Sequence, residues 1–199
     1  MTSDATAGSA RERLSASAPP LTDRIHERSR EMTQSVLKPK LTEEAVATGI
    51  DDDARQRISE ALSAILTDTY VLVIKTHIYH WNVVGPLFHA VHTMTEDQYG
   101  NLFEATDTIA ERIRALGNRA PVADAAGPGK AVVSAAAPAT SAHDMIADLI
   151  ADHEAAIRKM RDTADMAEKH DDLVTHDMLI ERMTYHEQVV WMWRALITE

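Results

Sequence analysis

Proline divides this chain into a few long uninterrupted spans, and that division limits what it can fold into. The seven prolines stand at positions 19, 20, 39, 86, 121, 128 and 138, so 40–85, 87–120 and 139–199 are free of them. A proline inside a helix removes a backbone hydrogen bond and clashes with the preceding turn, so long helices belong in the proline-free spans. The last span also lacks glycine. Aromatic residues make up only 5% of the chain and much of the apolar content is alanine, which favours helix over sheet. Cysteine is absent, which excludes a disulfide framework, a zinc–thiolate site, an iron–sulfur cluster and a thiol nucleophile. The absence suits a reducing compartment.

Four helices follow from the punctuation. The first starts near Asp51–Asp53, whose carboxylates suit a helix N-terminus. It carries Ile58, Leu62, Ile65, Leu66 and Val73 at helical spacing and ends near Trp81–Val83. Gly85-Pro86 places proline at the first turn of the second helix, which Gly117 stops. Residues 118–140 hold three prolines and two further glycines after Gly117, a long crossover with room for a short helix near 131–137. Ser141 followed by Asp144 resembles a capping box for the third helix, which ends near Lys169-His170. Asp171, Asp172 and Thr175 open the fourth. Four long helices with one long central connection predict an all-α, ferritin-like four-helix bundle over 51–199.

Residues 1–50 form an N-terminal extension, expected to be largely flexible with a short helix around 22–34. Within 1–40, Arg11, Arg13, Arg24, Arg28, Arg30, Lys38 and Lys40 face five acidic residues, so this tail carries +2 and the remainder −13 of the net −11. An acidic body repels nucleic acid, and any DNA contact must run through these basic residues. The longest stretch without Asp, Glu, Lys or Arg, Thr76–Thr95, holds Asn82, a Gly-Pro break and four histidines, so it does not read as a membrane span. No signal-peptide core is visible at the start, and a cytoplasmic location is expected.

The chemistry concentrates around those histidines. On the second helix His92 and Glu96 are four residues apart, as are Asp107 and Glu111, and the eleven-residue step between the pairs is close to three full turns. All four share a face. A solvated polar stripe would look the same. His92 and Glu111 lie about 28 Å apart along one straight helix, while metal–ligand bonds are near 2 Å, so the pairs cannot meet within one chain. They can meet across an antiparallel copy. The midpoint of 92 and 111 is also the midpoint of 96 and 107, so a two-fold axis beside Gly100-Asn101 sets His92 level with Glu111 of the mate and Glu96 level with Asp107. Gly100 in mid-helix costs about 1 kcal/mol relative to Ala, and close approach of two helices is a reason to tolerate it. His80 lies beside His92 across the short turn. Each composite site then holds two imidazoles and three carboxylates, a mixed set suited to iron, with manganese or zinc as alternatives. Conventional di-iron bundles use Glu-x-x-His motifs, and none occurs in this chain, which disfavours a di-metal oxygenase built inside one bundle.

The run His80-Trp81-Asn82-Val83-x-Gly85-Pro86-x-Phe88-x-x-x-His92-x-x-x-Glu96 resembles the Dps family, the miniferritins first known as DNA-binding proteins from starved cells. Asp107-x-Ile109-Ala110-Glu111-Arg112-Ile113-x-x-Leu116-Gly117 and the closing Tyr185-His186-Glu187-x-x-x-Trp191-Met192-x-Arg194 fit the same family. The resemblance covers about 50–199. It implies a hollow homo-oligomer of twelve subunits with ferroxidase centres at two-fold interfaces. There Fe(II) is oxidised, preferably by hydrogen peroxide, and the ferric product is stored as mineral. By position it implies His80, His92 and Glu96 from one subunit and Asp107 and Glu111 from its mate as ligands for two iron positions. Some members carry Asp where this chain has Glu96.

Other positions carry two readings each. Trp81 is either core packing or, as in the family, an electron donor to the centre. His77, one turn before His80, is either packed or an accessory ligand. Asp144, Asp148 and Asp152 repeat every four residues: either an exposed acidic face or the lining of a three-fold cation pore. Like charges at that spacing disfavour an isolated helix. The functional reading is an iron-storing ferroxidase. The alternative is a nucleoid-associated DNA-binding protein acting through multivalent tails.

Overall fold

A computed structural model describes residues 46–121 and 141–198. The basic tail residues, the expected helix around 22–34 and the crossover segment with its expected helix near 131–137 lie outside the described residues. Helix α1 spans Asp52–Asn82, α2 Phe88–Ala115, α3 Ala142–Lys169 and α4 Leu173–Ile197. The described residues contain no strand.

The caps follow the sequence closely. The Asp51 carboxylate accepts the Ala54 N–H at 2.9 Å, satisfying one of the orphan donors at the start of α1. Ser141 Oγ accepts the Asp144 N–H at 3.1 Å and donates to its carboxylate at 2.8 Å. The Asp172 carboxylate accepts the Thr175 N–H at 3.0 Å to open α4. Gly117, at φ +87°, ends α2 in the left-handed conformation that glycine adopts without a Cβ clash. One boundary differs. The Phe88 N–H bonds to the Gly85 carbonyl at 3.0 Å, closing a tight turn first, so Pro86 precedes α2 instead of standing in its first turn.

Pairs between distant helices set the directions. Lys75 meets Asp148 at 2.8 Å and also Asp152, and Lys159 meets Asp68 at 2.7 Å, so α1 and α3 run antiparallel. Arg112 binds Asp172 at 2.6 Å, Arg182 binds Asn101 at 2.8 Å and Trp193 Nε1 donates to Gln98 at 3.1 Å, so α2 and α4 run antiparallel as well. With α1–α2 a hairpin, α2 and α3 are parallel, and the long connection between them is a crossover of ferritin-like topology.

The core is built from Ile58, Leu62 and Leu72 of α1, Leu102 and Ile109 of α2, Ile146 and Leu149 of α3, and Leu179 and Trp193 of α4, all 0% exposed. Each buried aliphatic contributes about 2 kcal/mol, well above any surface ion pair. α1 contains an 18-residue window apolar enough to cross a membrane by composition, and 56% of that window is buried inside the bundle. Ile58, Leu62, Ile65, Leu66 and Leu72 are buried against the other helices, as in a core helix, while Ile74 and Trp81 stay exposed.

Candidate metal centre

The end of α1 and the start of α2 bring His80 and His92 together. Their rings stack with centroids 3.8 Å apart and planes within 17°. Each Nδ1 lies against the backbone carbonyl of the other residue, at 2.9 Å for His80 and 3.0 Å for His92. A carbonyl only accepts, so each Nδ1 carries a proton, which leaves Nε2 as the one ring nitrogen that can offer a lone pair. This reciprocal pair fixes tautomer and ring orientation, the role that outer-shell acceptors play for metal-binding histidines. Thr95, fully buried one turn past His92, donates to the Val91 carbonyl at 2.7 Å and lies 3.3 Å from His80 Nδ1. Phe88 covers the outer side of His92 at 5.1 Å, and Tyr99 sets its ring edge-on to His80 at 5.4 Å.

Glu96, Asp107 and Glu111 lie along the exposed face of α2, opposite its buried positions Gln98, Leu102, Ile109 and Ile113. Among the described residues no group of three His, Asp or Glu in one chain is arranged to hold a metal. The candidate donors stand in two groups: His80, His92 and Glu96 towards one end of α2, Asp107 and Glu111 towards the other. Phe103, between the two groups on α2, is 60% exposed, and on α1 Trp81, next to His80, is 67% and Ile74 59% exposed. Exposed large apolar side chains at these positions suit an association surface.

Trp81 is therefore not a core residue of the chain, which corrects the packing reading. Its ring stacks on His77 at 5.2 Å, and His77 in turn lies 3.9 Å from Tyr99, so His77 is held between two aromatic rings. Among the three aspartates, only Asp144 is exposed. Asp152 is buried, and Asp148 accepts from the Tyr79 hydroxyl at 2.5 Å while sharing Lys75 with Asp152. Asp152 is thus not part of an open acidic face and Asp148 is only partly exposed; the Lys75 ammonium reaches both carboxylates from inside and offsets one of their two charges. Burial, followed by the Asp148 carboxylate, pushes the Tyr79 phenol upward, so it stays a donor.

Sequence reasoning missed Lys75 and the pair His153–His186. The signal for the lysine was present: it is the only Lys or Arg between Arg57 and Arg112, inside an apolar run that cannot leave it unpaired. His153 and His186 are completely buried with Nδ1 atoms 2.7 Å apart. Burial, then Arg182 and Lys75, pushes His153 down to about 3. Burial, His153 and Arg182 hold His186 well below its ordinary value.

The helix order and directions are those of a ferritin-like protein, and the ferritin-like domain family matches residues 59–199. Within that class the chain belongs to the Dps family. It is 30% identical over 143 residues to the DNA protection during starvation protein of Brevibacillus brevis, covering 72% of this chain and 96% of that one. An uncharacterized low temperature-induced protein of Nostoc is 39% identical over 152 residues, 75% of this chain and 84% of that one. The crystal structure of a Dps protein from Vibrio cholerae superposes with a TM-score of 0.72 at 25% identity, covering 78% of this chain and 99% of that one. That protein is described as a member of a broad superfamily of ferritin-like diiron-carboxylate proteins.

Proposed function

We propose that this protein stores iron and protects against its chemistry, as a ferroxidase whose centres form between two copies of the chain. The reciprocal His80–His92 arrangement carries the reading: it presents two Nε2 lone pairs side by side, next to a surface bearing Glu96 and, one antiparallel copy away, Asp107 and Glu111. Two imidazoles and three carboxylates suit Fe(II) as substrate at two positions. Two Fe(II) ions each give one electron to hydrogen peroxide. The O–O bond breaks, its oxygens leave as water or enter the ferric oxyhydroxide, and no hydroxyl radical is released. The exposed apolar surface supports burial against further copies, a homo-oligomer of twelve subunits in the family's manner. Trp81 stacked on His77 is placed to donate an electron when a centre holds one iron, and His77 is an accessory ligand at most. The acidic body keeps any DNA contact to the N-terminal basic residues, and a cytoplasmic location fits this chemistry. For Asp144, Asp148 and Asp152, a part in cation uptake now rests on Asp144.

Anaerobic Fe(II) titration of the sized assembly, with ferric absorbance followed after peroxide and then under air, tests the reading. Fast peroxide-driven oxidation leaving soluble iron in a large particle is expected, with loss in both His80→Ala and Asp107→Ala. Oxidation no faster than in buffer would refute it and leave DNA binding, measured by gel retardation with and without residues 1–40, as the remaining function.

A further inference from the structure

Gly100 stands in the middle of α2 on the same stripe as the ligand pairs. The stripe runs His92, Glu96, Gly100, Phe103, Asp107, Glu111 in steps of three or four residues, so all six share one face. A Cβ at Gly100 would meet nothing within 4 Å, so nothing inside the bundle requires glycine there. Glycine is also a poorer helix former than alanine. Beside it Phe103 is 60% exposed, while the neighbouring Leu102, Ala105 and Thr106 face the core. A bare backbone and an exposed aromatic ring thus occupy the centre of the surface that the metal centre needs.

The pairing that sets His92 level with Glu111 and Glu96 level with Asp107 joins positions whose numbers sum to 203, and Gly100 and Phe103 share that sum. Resting on the two-copy metal centre above, we propose that the Phe103 ring of each copy packs over Gly100 of the other. The two contacts flank the two-fold axis and act as positioning residues for the centre. They explain the glycine, since a side chain at 100 would occupy the space the ring needs. They also specify register. A slip of one helical turn sets Phe103 opposite Glu96, Asp97 or Glu104, burying a carboxylate under an aromatic ring, or against the other Phe103, where two rings compete for one space. Only the metal-binding register meets a glycine. The contact further supplies attraction where Glu96, Asp107 and Glu111 of both copies bring like charges together before metal binds.

Three variants in the full-length chain test this: Gly100→Leu, Phe103→Ala, and the exchange Gly100→Phe with Phe103→Gly. Anaerobic Fe(II) binding is measured by calorimetry, association by sedimentation and folding by circular dichroism, with Asp107→Ala as reference. Gly100→Leu is expected to keep its helical spectrum and to lose about ten- to a hundredfold in Fe(II) affinity, the range for disturbed support of a metal ligand set. Phe103→Ala should weaken binding in the same direction, and the exchange, which puts ring and gap at swapped positions, should recover most of it. Wild-type affinity in Gly100→Leu or in Phe103→Ala, with binding lost in Asp107→Ala, overturns the contact and leaves the centre standing. Undiminished binding in Asp107→Ala overturns the centre itself. Should Gly100→Leu fail to fold, Phe103→Ala and the exchange decide, because neither deletes a buried group of the chain.

Discussion

Mild acid should destabilise this protein through a buried histidine pair between α3 and α4. His153 and His186 meet at 2.7 Å in the bundle interior, and both are kept neutral by burial. The charges facing them are cationic, Lys75 from α1 and Arg182 from α4, while Asp152 beside His153 is engaged with Lys75. His153 is held down to about 3 in the folded chain, against 6.5 in an unfolded one. The folded pKa is the lower one, so the unfolded state binds more protons between these values. The stabilisation is complete above about pH 6.5 and is lost as pH falls towards the folded value. One pH unit in that window is worth about 1.4 kcal/mol per histidine, so moving from pH 7 to pH 5 costs about 2 kcal/mol from His153. A loss of about 2 kcal/mol is a sizeable part of the stability of an ordinary domain, and His186 acts in the same direction. Denaturant unfolding at fixed protein concentration between pH 7.5 and 5 measures it, with His153→Asn/His186→Asn as the non-titrating comparison. The expected outcome is a pH slope in the wild type that is largely absent from the double variant, together with a His153 imidazole resonance that does not titrate above pH 5. Equal slopes in the two proteins, or a His153 resonance titrating near 6.5, would refute the reasoning.

Lys75→Met should destabilise the fold by about 3–5 kcal/mol in thermal or denaturant unfolding, because it leaves Asp148 and Asp152 facing each other without their cation. Adding Asp148→Asn and Asp152→Asn to that variant should recover most of the loss. Asp144→Asn should slow iron uptake without changing assembly if this end of α3 lines the uptake route, and stopped-flow ferric absorbance with parallel sizing reads both.

Helix number, direction changes and three of the four starts were legible in the sequence because they are local. Proline and glycine forbid helix at single positions, and Asp51, Ser141 and Asp172 satisfy N–H groups only three residues away. The shared face of 92, 96, 107 and 111 was legible for the same reason: they lie on one continuous helix, where spacing alone sets the face. The start of α2 was read early because the competing turn bond from Phe88 to Gly85 is not a periodic feature. Tertiary structure decided the rest. The Nδ1–carbonyl exchange between His80 and His92 needs two helix ends brought together at a set angle. Asp148 and Asp152 read as either an exposed acidic face or a pore lining until α1 delivers Lys75 to them from more than seventy positions away in the chain. Nothing local marks His153 and His186 as a pair, and only packing removes their water and makes them neutral. Local periodicity specifies which face of a helix a residue occupies; what that face meets is set by contacts distant in sequence, and burial there determines the charge a side chain carries.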